Sequence, residues 1–378
     1  MSTARVAMIG HAFMGAAHSQ AWRNVHRFFD VGLTPQMSVL VGRDATRTAE
    51  AGETLGWQRT ATDWREVVTS DEVDIVDICT PGDTHAEIAL AALAAGKHVL
   101  CEKPLANTVA EADLMAEAAQ RAAHDGVRSM VGFTYRRVPA VSLMREMIAE
   151  GAVGTIRHIR GTYLQDWLVD PASPLVWRLQ ADKAGSGALG DIGAHILDLA
   201  QFTTGQRITG VAAQTETFVT ERPLPDDPSR SGAVTVDDAM VALARTDGGA
   251  LCTFEATRFA TGRRNRIGLE VNGSHGSLAF NFEDMNVLEH YDPSDGDRSG
   301  FRRIQVTEPT HPYVAAWWPP GHGLGYEHGF VHQARDFLTA IAEGSDPTPS
   351  FTDGAQIQHL LGAIEQSAGQ QASWTSLP

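Results

Sequence analysis

RVAMIGHAFMG, residues 5–15, decides the fold. Arg5–Ile9 is a short apolar run of the kind that makes a buried strand. Gly10-His11-Ala12-Phe13-Met14-Gly15 follows, and a helical pattern then runs to about Arg27. The string is G-x-A-x-x-G, a variant of the dinucleotide fingerprint G-x-G-x-x-G. Gly10 is expected to make the tight turn, and Gly15 to let helix and strand approach closely. Around Ala12, Phe13 and Met14 the helix start presents bare N–H groups, which suit a pyrophosphate. Ala12 replaces the middle glycine and adds one methyl there.

The alternation continues outward from this stretch. A second strand, Met37–Val41, ends in Gly42-Arg43-Asp44, ahead of a helix over Ala45–Leu55. Folds that prefer NAD usually carry an acidic residue at this tip, for the ribose 2′-hydroxyl. Here Gly42 holds the tip. Arg43 could stack on adenine or meet a 2′-phosphate, and Asp44 reads equally as a helix N-cap. The residues therefore leave NAD and NADP both open. A third strand, Val73–Cys79, leads into Thr80-Pro81-Gly82-Asp83-Thr84-His85 and a helix over Ala86–Ala95. Next comes HVLCEKPLA, residues 98–106: a strand to Cys101, then Glu102, Lys103 and Pro104 at its tip. A helix over Thr108–His124 and a strand over Val127–Phe133 close the pattern. Strands alternating with helices through short connections predict a parallel, doubly wound sheet over residues 1–134. Ligands of such sheets bind outside the carboxyl ends of the strands, where Lys103 stands. Taken alone, Lys103 reads equally as a surface lysine paired with its neighbour.

From Tyr135 the rhythm changes. A helix over Pro139–Glu150 precedes a long strand, Ile156–Leu164, and a loop rich in Asp, Pro and Trp. After a helix over Ala188–Thr204 come several strand-like runs: Gly210–Thr220, Val236–Arg245, Ala250–Arg258, Ile267–Asn272, Ser277–Phe282 and Arg302–Val306. Helices over Tyr326–Glu343 and Thr352–Gln370 end the pattern. Residues 135–378 are thus expected to form an α+β domain with a large mixed, mainly antiparallel sheet. Its helix-free face is a candidate surface for a homodimer or homotetramer.

GSGALGDIGAHILDLA, residues 185–200, carries the second chemical constellation. On a helix, Asp191, His195 and Asp198 share one face. A carboxylate one turn from a histidine can orient the imidazole and raise its basicity. His328 and His332 are also one turn apart, but the segment lacks a cysteine and Glu327 falls off their face. No metal is expected, and this segment reads as a polar rim beside the substrate.

The chain has 378 residues and a formal net charge of −16. That balance argues against nucleic acid and anionic membrane partners, both of which need a basic surface. Cys79, Cys101 and Cys252 form no zinc spacing and no disulfide framework, which fits a reducing cytoplasm. The first residues lack a signal-peptide layout, and no run of roughly 18 apolar residues suggests a membrane span.

G-x-A-x-x-G at Gly10–Gly15, TPGDTH at Thr80–His85, EKP at Glu102–Pro104 and GDIGAH at Gly190–His195 occur in this order. As a set they resemble the glucose–fructose oxidoreductase and inositol dehydrogenase family. The resemblance implies a Rossmann nucleotide domain, NAD as cofactor and oxidation of a ring hydroxyl on a small polyhydroxylated substrate. It assigns Lys103 to the reacting hydroxyl, His195 to proton removal and Asp191 to orienting the sugar or the imidazole. Beside the glycine loop and Arg43, it places Thr80, Pro81, His85, Glu102, Lys103, Trp177 and Arg178 near the cofactor. It places Arg137, Tyr163, Gln165 and Asp166 near the sugar. GTYLQDW (161–167), GSGALGDI (185–192), YRR (135–137) and ERPL (221–224) resemble members that act on an anhydrosugar, making levoglucosan, oxidised at its 3-hydroxyl, the expected substrate. A myo- or scyllo-inositol dehydrogenase is the near alternative. A hydrolase or lyase that recycles a tightly held NAD is the more distant one.

Overall fold

A computed structural model describes residues 2–377. β1 (Ser2–Ile9), α1 (Phe13–Phe28), β2 (Leu33–Val41), α2 (Ala45–Leu55), β3 (Arg59–Ala61), α3 (Trp64–Val68), β4 (Ile75–Ile78), α4 (His85–Ala94), β5 (His98–Cys101), α5 (Val109–His124) and β6 (Ser129–Val131) alternate along the first third. The six strands pair in parallel, in the order β3-β2-β1-β4-β5-β6. Strand order reverses between β1 and β4, which opens a crevice at their carboxyl ends. The central strands are apolar because helices cover both faces of such a sheet. Val6, Ala7, Met8, Ile75, Val76 and Ile78 are fully buried. Thr108 starts α5 with a capping box, exchanging hydrogen bonds with Glu111. β3 and α3 leave no periodic signal in the sequence. β3 is a three-residue, largely exposed edge and α3 a five-residue turn, both too short for periodicity to register.

α6 (Pro139–Ala149), β7 (Ile156–Leu164), α7 (Ala181–Ala184), a π turn at Leu189–Gly193, α8 (Ala194–Thr204) and β8 (Ile208–Glu216) come next. β9 (Glu221–Pro223) and β10 (Ser231–Ala233) form a small antiparallel hairpin. β11 (Ala239–Thr246), β12 (Leu251–Thr257), β13 (Arg266–Gly273), β14 (Ser277–Asn281), β15 (Val287–Tyr291) and β16 (Phe301–Gln305) follow. The chain closes with α9 (Tyr326–Glu343), α10 (Phe351–Gly369) and β17 (Thr375–Ser376). Nine strands make one sheet, ordered β16-β15-β14-β13-β7-β12-β11-β8-β17. Only its β7–β12 pair is parallel. Period-two alternation sorts its side chains. Met240, Ala242 and Ala244 of β11 point into the core, where α8 packs on β7, β12 and β13. Val241 and Leu243 point the other way and are 51% and 53% exposed.

The chain divides into two compact units. One runs to Arg137 and takes in Gly325–Gln358; the other holds Val138–Leu324 and the residues from His359 on. The sequence reading assigned everything after residue 134 to the second domain, but α9 returns to the first unit and packs along α1. Its apolar stripe, including Phe330, Val331, Phe337 and Leu338, is what that packing buries. Among the described residues, no helix is long and apolar enough to cross a membrane.

Candidate active site

The glycine turn is built as its sequence suggested. Gly10 has φ of 100°, a conformation that L side chains rarely adopt, and a Cβ there would lie 2.6 Å from the carbonyl oxygen of Cys79. A Cβ on Gly15 would lie 2.3 Å from the carbonyl oxygen of Gly10. Ala12 is the N-cap of α1 and supplies no side-chain cap, which leaves the first N–H groups of the helix to bind an anion. Ala12 and Phe13 are exposed at this end, and the Phe13 ring stacks on Tyr326 of the same unit at 6.0 Å. Thr80 and Pro81 follow β4 into a single 3₁₀ turn, Gly82–Thr84, and Thr84 Oγ1 donates to Thr80 Oγ1 at 2.7 Å. Arg43 is exposed at the end of β2. Asp44 caps α2, accepting the Arg47 N–H at 2.9 Å.

Beneath the tip of β5 lies a buried charged network. Nδ1 of His18 donates to Asp77 at 2.9 Å and Nε2 to Glu102 Oε1 at 3.1 Å. Trp22 Nε1 adds a third donor, 2.7 Å from Asp77 Oδ2. The other Glu102 oxygen accepts the backbone N–H of Lys103 at 3.3 Å. Burial alone would push the His18 imidazole down, but Asp77 outweighs it and holds the pKa well above the ordinary value. The imidazolium is also what two donated bonds require. Burial, with Asp77, pushes the Cys79 thiol up to about 12. His18, Asp77 and Cys79 are close enough to hold a metal ion. In the structure the three are joined by hydrogen bonds, with Cys79 Sγ donating to Asp77 Oδ1 at 3.6 Å beside the His18 contact. Lys103 itself is half-buried above this network.

In the second unit, the approach to α8 is drawn onto Asp237. The carboxylate accepts N–H bonds from Gly187 at 2.6 Å and Leu189 at 2.8 Å. A Cβ on Gly187 would lie 1.7 Å from the Asp237 carbonyl oxygen, so only glycine fits. The turn carrying Asp191 is then π rather than α, a correction to the continuous helix expected from the spacing. Such bulges concentrate at functional sites because they re-aim side chains. The Asp191 carboxylate lies 3.9 Å from the guanidinium of Arg258. Arg258 is fully buried, donates to the Asp237 carbonyl at 2.8 Å and to the Arg178 carbonyl at 3.5 Å, and lies over the ring of Trp167. The Arg178 guanidinium stacks on Trp177 at 4.4 Å. His195 is buried in the first turn of α8, and its ring lies 6.0 Å from that of Tyr163. Tyr163 Oη and Gln165 Nε2 each donate to Asn265 Oδ1 at 2.8 Å, and Trp167 Nε1 donates to Gln165 Oε1 at 3.0 Å. Tyr163, Gln165, Asn265 and Trp167 thus form one connected polar surface with His195 beside it.

Several expected contacts turn out to be supports. Arg137 is buried, paired with Asp336 at 2.8 Å and donating to the Thr348 carbonyl at 2.7 Å, so it braces the first unit rather than meeting a sugar. Asp166 is buried and accepts from the Gly262 N–H at 3.0 Å and from Arg264 at 3.1 Å, which shapes the loop before Asn265. His85 is buried between the carbonyls of Pro104 and Thr80, at 3.0 and 2.9 Å, and ties two loops together. The carboxylate of Glu102 is committed to His18 and to the Lys103 backbone. His332 is no rim residue. It is fully buried, Nδ1 lies 2.9 Å from the Arg137 carbonyl, and burial pushes its pKa down to about 3. His328 Nδ1 accepts the Gly325 N–H at the start of α9. The sequence reading passed over His18, Arg258, Asp237 and Asn265. Asp77, a charge inside an apolar strand, was the one available hint of the buried network.

Two family models match this chain. That of the oxidoreductase family with an NAD-binding Rossmann fold covers residues 4–133, and that of the GFO/IDH/MocA C-terminal domain covers residues 141–279. The chain belongs to this family: it is an oxidoreductase and its cofactor is NAD. A solved oxidoreductase domain protein from Kribbella flavida is 63% identical, with a TM-score of 0.97 and all of both chains covered. Levoglucosan dehydrogenase of Pseudarthrobacter phenanthrenivorans is 42% identical over 392 residues, covering 100% of this chain and 99% of the relative. The structure of a levoglucosan dehydrogenase in complex with NADH and levoglucosan is 43% identical, with a TM-score of 0.95 and both chains covered completely.

Proposed function

We propose that this protein oxidises the 3-hydroxyl of levoglucosan to the 3-ketone and transfers the hydride to NAD. The observation that carries the proposal is the identity of 42% to a levoglucosan dehydrogenase over all of this chain and 99% of the relative. The polar surface of Tyr163, Gln165, Asn265 and Trp167 supports it: hydroxyl, amides and an indole face suit a ring bearing several hydroxyls. NAD accepts the hydride. Gly10, Ala12, Phe13, Met14, Gly15, Thr80 and Pro81 hold the dinucleotide. Lys103 donates a hydrogen bond to the reacting oxygen and stabilises its developing negative charge. His195 takes the hydroxyl proton, and Asp191 orients the sugar.

We also place the enzyme in the cytoplasm, on the strength of three free cysteines. We assign it a homo-oligomer built on the open face of the nine-stranded sheet, where Val241, Leu243 and Leu251 are exposed.

The test follows reduced nicotinamide by absorbance with NAD and NADP, against levoglucosan, myo-inositol, glucose and xylose. Net NADH with levoglucosan as the preferred substrate supports the reading. Preference for inositol assigns the cyclitol reaction instead, and no net reduced cofactor with any polyol removes the dehydrogenase.

A further inference from the structure

The end of β2 lacks the acidic side chain that usually reads the adenosine ribose of NAD. Asp44 stands beyond the tip and commits its Oδ1 to capping α2. The space at Gly42 is nevertheless filled. A Cβ on residue 42 would lie 2.5 Å from His11 Nε2, 2.6 Å from His11 Cδ2 and 2.3 Å from Thr48 Oγ1. An imidazole therefore sits where the root of an acidic side chain would be, and a glycine at 42 leaves room for it. A substitution to Asp at this position has to push the His11 ring and the Thr48 hydroxyl aside.

The ring is also held in one tautomer. Thr48 Oγ1 is buried and donates its single proton to the Asp44 carbonyl at 2.6 Å. Its contact with His11 Nε2 at 3.3 Å can then only be accepted from an Nε2–H. In the neutral ring that leaves the lone pair on Nδ1, so the imidazole offers an acceptor, as a carboxylate oxygen does. A ribose hydroxyl can donate to it. A 2′-phosphate, which at neutral pH is mainly an acceptor, cannot.

We propose that His11, seated in the space left by Gly42 and oriented by Thr48, is the residue that reads the adenosine 2′-hydroxyl and favours NAD over NADP. The reading concerns the cofactor alone and does not depend on which sugar is oxidised. It differs from an acidic reader in one respect: His11 accepts a hydrogen bond without a negative charge, so NADP is disfavoured by a lost bond and not by charge repulsion.

The experiment measures dissociation constants by calorimetry for NAD, NADP and the NAD analogue lacking the adenosine 2′-hydroxyl. It compares the wild type with His11→Ala, Gly42→Ala and Thr48→Val. The wild type should bind the deoxy analogue about three- to tenfold more weakly than NAD, the size of one hydrogen bond. In His11→Ala and Gly42→Ala, NAD should weaken by a similar factor and the discrimination against the deoxy analogue should vanish. Thr48→Val should narrow the NAD-to-NADP ratio. Unchanged melting temperatures without cofactor separate these effects from misfolding. If His11→Ala and Gly42→Ala still distinguish NAD from its deoxy analogue as the wild type does, another group reads the ribose and the inference is wrong. A wild type indifferent to the 2′-hydroxyl also overturns it. Failure of the wild type to bind NAD at all would overturn the cofactor itself along with this inference.

Discussion

Lys103 owes its place to groups that take no part in the chemistry. Its backbone N–H is tied to Glu102, Glu102 to His18, and His18 to Asp77. Replacing Lys103 with Ala should lower kcat by about two orders of magnitude or more, the scale of an electrostatic stabiliser. NAD affinity should change little, since the glycine loop carries most of that binding. Near-wild-type turnover would make the lysine merely structural. His195→Ala should lower kcat on the same scale. These two residues, with Asp191, stood out as candidates because each sits in a short motif. Asn265 and Arg258 were not: Tyr163 and Asn265 are 102 residues apart, and Arg258 and Arg178 are 80 apart. Such pairings exist only once the sheet is formed. Arg137 and Asp166 show the opposite effect. A charged residue beside a motif invites a functional reading, and both are buried and ion-paired, to Asp336 and Arg264.

Among the elements, those with strong periodicity were read with their true limits. α2, β5, β7 and α9 occupy the spans that their patterns predict. The π turn at Leu189–Gly193 was missed because its cause, Asp237, lies outside the segment. Gly187→Ala tests what that turn does. The added methyl must displace the backbone at Asp237, so kcat/KM for the sugar should fall tenfold or more, as small misplacements of reacting groups do. NAD affinity should be retained, because Gly187 lies outside the glycine loop that carries most of that binding. Equal activity in this variant would show that the turn can relax without moving Asp191 and His195. The exposed row on β11 has its own test. Val241→Glu with Leu243→Glu should shift the sedimentation coefficient toward the monomer, since buried unpaired carboxylates oppose association. An unchanged coefficient would place the oligomer interface elsewhere.

For the whole molecule, buried histidines set part of the pH response. Folding pushes the His332 pKa down to about 3, whereas in the unfolded chain it is about 6.5. Between those values the unfolded state binds more protons. Its contribution to stability is therefore complete above about pH 6.5 and is lost as pH falls, by up to about 1.4 kcal/mol per pH unit. His18 has the opposite sign, being raised: its contribution is present below about pH 6.5 and is lost as pH climbs through the folded value. His332→Gln should flatten the dependence of the urea midpoint on pH between about pH 4 and 6. A slope equal to that of the wild type would mean that His332 is not the titrating group. The two-unit plan was legible from the switch between alternating and consecutive strands. The return of α9 to the nucleotide unit was not, because an amphipathic helix does not announce which face it will cover.

The proposed reaction takes a hydride from one carbon of one sugar. Levoglucosan carrying deuterium at C3 should give reduced nicotinamide with one deuterium per molecule of 3-keto product, read by mass spectrometry. Unlabelled reduced cofactor would contradict the assigned carbon. Turnover without net reduced cofactor would contradict the dehydrogenase.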